Sequence, residues 1–316
     1  MTELSAFLHY GTIASCIAIT AIGVGIGEGL TGQAAIAALE IQPHAKSEIG
    51  KVNILGAALV ETAGIIASAI ALIILMSKQT ITEFTGIASL GIAFAICITG
   101  FVVGLLSAKP AQAAVLAVAR QPFSSQRIGR FMLISQSIIQ SPIIFAFIIS
   151  MFIRAQSAYV ASLPDALRLL SAGLCISLGS IGPVMGLAHF AQYACNGLGY
   201  NRNAYGKILT FTFISQAIIE TPIILSLVIS IFICFSFVGD NMIAGVAFLA
   251  AALCMGFGTF GPGISSGKTA AQACKQIAIN PDIYSTVSKV SIFGQGVIDT
   301  AAIYAFLVAM GLLILK

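Results

Sequence analysis

Charge is what this sequence has least of. Only 8% of its 316 residues are Asp, Glu, Lys or Arg, against about 25% in a soluble domain. Hydrophobic residues make up 58%, and the mean hydropathy is +1.02. A chain so poor in ions cannot coat a water-facing surface, so its solvent is lipid. The net charge of +4 is too small and too scattered to engage nucleic acid. Paired cysteines are also missing. Cys16, Cys97, Cys175, Cys195, Cys234, Cys254 and Cys274 stand singly in apolar stretches, and no C-x-x-C occurs. They read as small buried hydrophobes. His9, His44 and His189 share no ligand spacing, so neither a permanent metal nor a cofactor is expected. No basic region precedes the first apolar run in "MTELSAFLHY", so no cleaved leader is expected.

Two nucleotide motifs are present only in part. "GPGISSGKTA" (261–270) carries the right-hand half of G-x-x-x-x-G-K-[ST] in Gly267, Lys268 and Thr269. The left-hand glycine would stand at Pro262. "GFGTFG" (256–261) matches G-x-G-x-x-G, a weak signal alone. Neither is read as a phosphate cradle.

What is abundant is long apolar sequence. Polar punctuation divides it into eight runs, at 6–40, 49–77, 84–119, 126–155, 164–199, 204–237, 241–279 and 283–315. Each exceeds the roughly 20 residues that cross a bilayer. Only helices satisfy their own backbone in lipid without closing a barrel, so the fold class is all-α integral membrane with eight transmembrane helices. The turns after odd helices, with their flanks, hold Lys46, Lys51, Arg120, Arg127, Arg130, Arg202, Lys207, Lys275 and Lys289. The opposite side has Lys78, Arg154, Arg168 and Lys316. The positive-inside rule puts the four turns in the cytoplasm and both termini across the membrane.

The eight runs form four copies of one hairpin. The even helices align without gaps as "GAALVETAGI" (56–65), "SQSIIQSPII" (135–144), "SQAIIETPII" (215–224) and "GQGVIDTAAI" (294–303). The sixth place is Glu61, Gln140, Glu220 and Asp299, at intervals of 79, 80 and 79 residues. The turns read Gln42-Pro43, Gln121-Pro122, Asn201-Arg202 and Asn280-Pro281. Pro stops a helix there. The units run 1–80, 81–160, 161–239 and 240–316. Odd helices carry glycine runs such as "GVGIGEG" (23–29) and "GSIGPVMG" (179–186). Small residues let membrane helices approach closely. Gly261, Gly263 and Gly267 match Gly23, Gly25 and Gly29 in this alignment and read as packing glycines.

A charged side chain at the bilayer centre is unfavourable by roughly 2.5–3.5 kcal/mol on insertion scales. A carboxyl facing lipid therefore keeps a proton or a metal cation and gives it up only beside water or another cation. A loaded site can therefore enter lipid, whereas an empty one is held back.

Tandem hairpins, glycine-rich first helices, the turn "ARQPFSSQRIGR" (119–130) and one mid-helix carboxylate, as in "LVETAGI" (59–65), resemble the c subunit (proteolipid) of F-type rotary ATP synthases. The usual member is one hairpin; this chain looks like four in series, an arc of a rotor ring. The resemblance implies a ring built from further copies, with first helices inside and second helices outside. It implies a stator a subunit with an essential Arg, central-stalk subunits gripping the turns (Gln42, Pro43, Arg120, Gln121, Pro122, Asn201, Arg202, Asn280, Pro281), and surrounding lipid. ATP chemistry would belong to other subunits. Duplicated hairpins with a missing carboxylate also resemble V/A-type proteolipids, and a repeat-built secondary transporter is the remoter alternative.

In the sodium rings of this family a hydroxyl follows the carboxylate, and Gln or Glu lies 33 residues before it. Here the hydroxyls are Thr62, Ser141, Thr221 and Thr300, and the earlier place reads Glu28, Ser107, Leu187 and Ser266. The resemblance thus assigns ion binding to Glu61, Glu220 and Asp299, with Glu28, Thr62, Thr221, Thr300 and Ser266 beside them. Leu187 cannot ligate, which favours the proton as cargo; sodium stays open at Glu28, Glu61 and Thr62. Gln140 neither titrates nor balances a cation, so the second hairpin reads as a silent site whose amide bonds to Ser107 or Ser141.

Overall fold

A computed structural model of the chain describes residues 2–77, 81–238 and 241–315. Lys78 and Lys316, counted above for orientation, lie outside the described residues. Among those described, eight helical spans are long and apolar enough to cross a membrane, and there is no strand. The chain is an all-α, multi-pass membrane protein of four hairpins. The first is α1 (Thr2–Ile41) and α2 (Lys46–Met76). The second is α3 (Thr85–Leu106) with α4 (Ala108–Arg120), then α5 (Ser125–Ile139) with α6 (Ser141–Ser157). The third is α7 (Leu163–Tyr200) and α8 (Tyr205–Phe235). The fourth is α9 (Met242–Gly258) with α10 (Phe260–Ile279), then α11 (Tyr284–Ile314).

Each turn is a single 3-10 turn, Pro43–Ala45, Pro122–Ser124, Arg202–Ala204 and Pro281–Ile283. Pro opens three of the four, where its missing N–H has no partner to lose. At 1.5 Å per residue, the 40 residues of α1 reach well past a hydrocarbon layer about 30 Å thick.

The first helices of the hairpins form one row: α1 packs on α3 and α4, these on α7, and α7 on α9 and α10. The second helices lie outside it. Those of the first three hairpins pack on their own first helix and on that of the following hairpin, as α8 does on α7 and α10. Glycine sets the spacing of the inner row. A methyl group on Gly23 would overlap the Phe101 backbone, on Gly182 the Phe260 backbone, and on Gly267 the Gly186 backbone. Gly263 meets Gly182 and Pro183. A methyl on Gly25, Gly29 or Gly261 meets nothing within 4 Å: Gly25 and Gly29 stand on the first hairpin and Gly261 on the last, at the open ends of the row, whereas their repeat counterparts Gly263, Gly267 and Gly182 touch an adjacent hairpin of the chain.

Three spans taken as continuous are interrupted for one residue, at Ser107, Gln140 and Thr259. Each interruption lies two or three residues before a proline, Pro110, Pro142 or Pro262. Proline withholds the N–H that the carbonyl four residues earlier would accept. Ser141 Oγ donates instead to Ile138 O, at 2.9 Å. Pro183 sits inside unbroken α7, and Thr259 Oγ of the next hairpin donates to Gly179 O, four residues before it, at 3.1 Å. Pro222 likewise leaves α8 unbroken. At the end away from the turns, Arg168 is not a free flanking charge. It is buried and bonds Asp165 (2.8 Å), Gln156 Oε1 (2.8 Å) and the carbonyls of Ile233 and Cys234.

Candidate functional site

The four sixth-place side chains stand at one level on the outer helices, yet their surroundings differ. Glu61 is exposed on α2. It shares a groove of ≈ 610 Å³ with Glu28, Val24, Gly64 and Ile65, between α1 and α2. The two carboxylates that sequence spacing brought together therefore do line one space. Thr62 takes no part in bridging them, for its hydroxyl donates to Leu59 O. This groove is at the outer edge of the first hairpin, where no preceding hairpin exists within the chain.

Glu220 has a neighbour of that kind. Its Oε1 is hydrogen-bonded to Ser141 Oγ of the second hairpin. Ser141 is also directed at Ile138 O and has one proton to give. Both contacts are satisfied at once when Glu220 is protonated and donates to Ser141 while Ser141 donates to Ile138. The partner hydroxyl thus comes from the preceding hairpin. Thr221, its own neighbour in sequence, donates to Ala217 O at 3.2 Å.

Asp299 breaks the pattern. It is 7% exposed and its Oδ1 is buried without a hydrogen-bond partner. The corresponding hydroxyl of the preceding hairpin is Thr221, and aspartate is one methylene shorter than glutamate, so it does not reach. Thr300 donates to Val297 O at 2.7 Å. Ser266 is fully buried on α10, and its Oγ also lacks a partner.

Gln140 is buried, and its Nε2 donates to Leu59 O at 2.7 Å. That corrects the expected bonds to Ser107 or Ser141: Ser107 Oγ donates to Gly104 O at 3.4 Å and Ser141 faces Glu220. The amide instead fastens the second hairpin to the first.

Sequence reasoning passed over a second polar layer four residues before the site level. Gln136 Nε2 donates to Ser107 O (2.9 Å) and Gly56 O (3.2 Å). Gln216 Nε2 donates to Ser135 O (3.5 Å) and Gln295 Nε2 to Ser215 Oγ (3.2 Å). All three are fully buried, and all reach back to the preceding hairpin. The signal was present as the repeated second letter of "SQSIIQ", "SQAIIE" and "GQGVID"; the first repeat has Ala57 there.

The turn residues are brought to one end. Arg120, Pro43, Arg202 and Asn280 are exposed there, whereas Gln42, Pro122 and Pro281 are half-buried. Two of the amides point sideways: Gln121 Nε2 donates to Gly199 O (3.1 Å) and Asn201 Nδ2 to Ala278 O (3.0 Å). They stitch each turn to the next hairpin.

Direct tandem hairpins with carboxyls at matched depth on the outer helices define a membrane proteolipid built by duplication. The profile of the ATP synthase C subunit family matches residues 12–74, 170–233 and 249–312, and the chain belongs to that family. The matched segments contain Glu61, Glu220 and Asp299. Relatives include the ATP synthase c subunit of Thermotoga petrophila, 36% identical over 67 residues, which are 21% of this chain and 79% of that protein. The ATP synthase c subunit of Dehalococcoides mccartyi is 39% identical over 71 residues, 22% of this chain and 93% of its own length. That of Mesomycoplasma hyopneumoniae is 41% identical over 64 residues, 20% and 62%.

Proposed function

We propose that the chain is a rotor-ring component of an F-type ATP synthase or ATPase, and that Glu61, Glu220 and Asp299 carry protons across the membrane. Family membership supports a rotor-ring, ion-translocating role. The observation that carries the residue assignment is the recurrence of a carboxyl at one depth on three outer helices, each set against the hairpin boundary. ATP chemistry belongs to other subunits, and this chain supplies the moving carrier. Further copies close the ring, a stator a subunit with an essential Arg exchanges the ions, and central-stalk subunits take hold of the turns. The turns face the cytoplasm of a bacterial cell and both termini face outward, as the basic residues near the turns favour.

The proton is favoured over sodium by the ligands at hand. Glu220 has one hydroxyl partner, Leu187 is apolar, and Asp299 Oδ1 has no partner at all. A proton needs only the carboxyl, whereas a dehydrated cation needs several oxygens. The groove of Glu28 and Glu61 is the place where sodium would compete. Carbodiimide labelling of the purified chain decides the matter. Labelling at Glu61, Glu220 and Asp299 that sodium does not slow is expected. Protection by sodium at all three would replace the proton with sodium, and absence of labelling would remove the residue assignment.

A further inference from the structure

The buried glutamine layer is only half used by bonds within the chain. Gln136, Gln216 and Gln295 hold one position of the repeat, 80 and 79 residues apart, and all are fully buried. Each turns its Nε2 to the preceding hairpin. For Gln136 and Gln216 the groups met there are carbonyls, which accept only a donor. That fixes the nitrogen end of the amide and leaves Oε1 facing elsewhere. Among the described residues, Oε1 of Gln136, Gln216 and Gln295 has no hydrogen-bond partner.

The sixth-place residue stands one turn further on, at i+4 on the same helix face. Gln140 Oε1 and Asp299 Oδ1 are likewise buried and without a partner among the described residues, beside Gln136 and Gln295. Two acceptors a turn apart thus recur, and nothing in the chain donates to either. At the last boundary Ser266 Oγ is a third such atom, and Ser266 is fully buried. Ser266 is the repeat counterpart of Ser107. Gln136 bonds the carbonyl of Ser107, so Ser266 belongs at the level of Gln295. At the middle boundary the additional unpartnered atoms are Ser135 Oγ and Thr212 Oγ1, both residues fully buried. Ser135 O is the acceptor of Gln216 Nε2, and Thr212 lies one turn before Gln216. Buried polar groups are nearly always bonded, to protein or to ordered water. Paired acceptors call for a small molecule that donates twice, and a buried water makes about three bonds.

We propose that a buried water is bound at each of these three hairpin boundaries, held by Gln136, Gln216 and Gln295. Between Gln136 and Gln140 it donates to both amide oxygens. Between Gln295 and Asp299 it accepts from the protonated carboxyl and donates to Gln295 Oε1 and Ser266 Oγ. At the middle boundary it donates to Gln216 Oε1 and bonds the hydroxyl of Ser135 or Thr212, because Glu220 already has Ser141. The first hairpin has Ala57 in the glutamine's place, so Glu61 stands without such a water. The proposal rests on the carrier reading in one respect: at Asp299 the water is the partner of the travelling proton, on the side of the site nearer the turns.

The test is water-edited solid-state NMR of the full chain in lipid bilayers, with labelled Gln, Asp and Ser. Magnetisation from water should reach the side chains of Gln136, Gln216 and Gln295 and the carboxyl of Asp299. Ser180 is the dry reference, since it is fully buried and its Oγ donates to Ile176 O at 2.6 Å. In Gln295→Leu the transfer to Asp299 should fall to the level of Ser180, while Gln136 and Gln216 keep theirs. Glutamines as dry as Ser180 in the wild-type chain, unchanged transfer to Asp299 in Gln295→Leu, or loss of the wild-type transfer on adding sodium would each overturn the proposal. Carbodiimide labelling of the same sample separates the two readings. Dry glutamines beside carboxyls that still label overturn the waters and leave the carriers. Hydrated glutamines beside unlabelled carboxyls support the waters and remove the carrier assignment.

Discussion

Ser141 illustrates how little separates one site from another. It sits beside the one sixth-place residue that cannot ionise, and it serves the carboxyl of the next hairpin. Ser141→Ala leaves Glu220 without its partner. A hydrogen bond of this kind contributes about 1 kcal/mol net, so carbodiimide labelling of Glu220 should quicken roughly fivefold, with Asp299 unchanged in the same peptide map. Asp299→Glu adds the missing methylene. It should bring the carboxyl to Thr221, and its labelling should slow towards that of wild-type Glu220. The carboxyls and hydroxyls themselves were legible in the sequence as a ten-residue motif. Their pairing was not, because Thr221 and Ser141 occupy the same column of the alignment and differ only in which neighbour they meet.

At the scale of helices, the sequence displayed eight runs and four turns, and the structure has both. It did not display the interruptions at Ser107, Gln140 and Thr259. Prolines occur in broken and unbroken spans alike, so a proline in the sequence does not by itself mark an interruption. Gly263→Ala forces a methyl into Gly182 and Pro183, and overpacking of this kind costs about 1–3 kcal/mol. In the isolated chain Gly261→Ala meets open space and should stay within about 0.5 kcal/mol of wild type. Denaturation in mixed detergent micelles compares the two. The buried glutamines grade in the same assay. Gln136→Leu removes two bonds and Gln216→Leu one long bond, so the first should destabilise more, by about 1 kcal/mol.

For the whole molecule the number that matters, on the proposed function, is three carriers among four hairpins. Each elementary charge that crosses gains about 2.3 kcal/mol per 100 mV. Three carriers therefore yield roughly 7 kcal/mol per passage of the chain at that voltage and four would yield roughly 9. Fewer ions per turn demand a steeper potential for synthesis and suit ATP-driven pumping. Gln140→Glu, when protonated, can still donate to Leu59 O, so the fold should tolerate it. The ions moved per ATP in reconstituted vesicles should rise by about one third if every position then works; an unchanged ratio would show that position 140 is barred by more than its amide.

Covalent order has a mechanical outcome. Gln140 stands between Glu61 and Glu220 in the sequence, so the blank always follows Glu61 and always precedes Glu220. Travelling round such a wheel, a fixed observer meets carriers at spacings of two, one and one hairpins, then two again at the next polypeptide. The machine would limp: its pauses would be unevenly spaced, with one double stride per chain written into the gene itself.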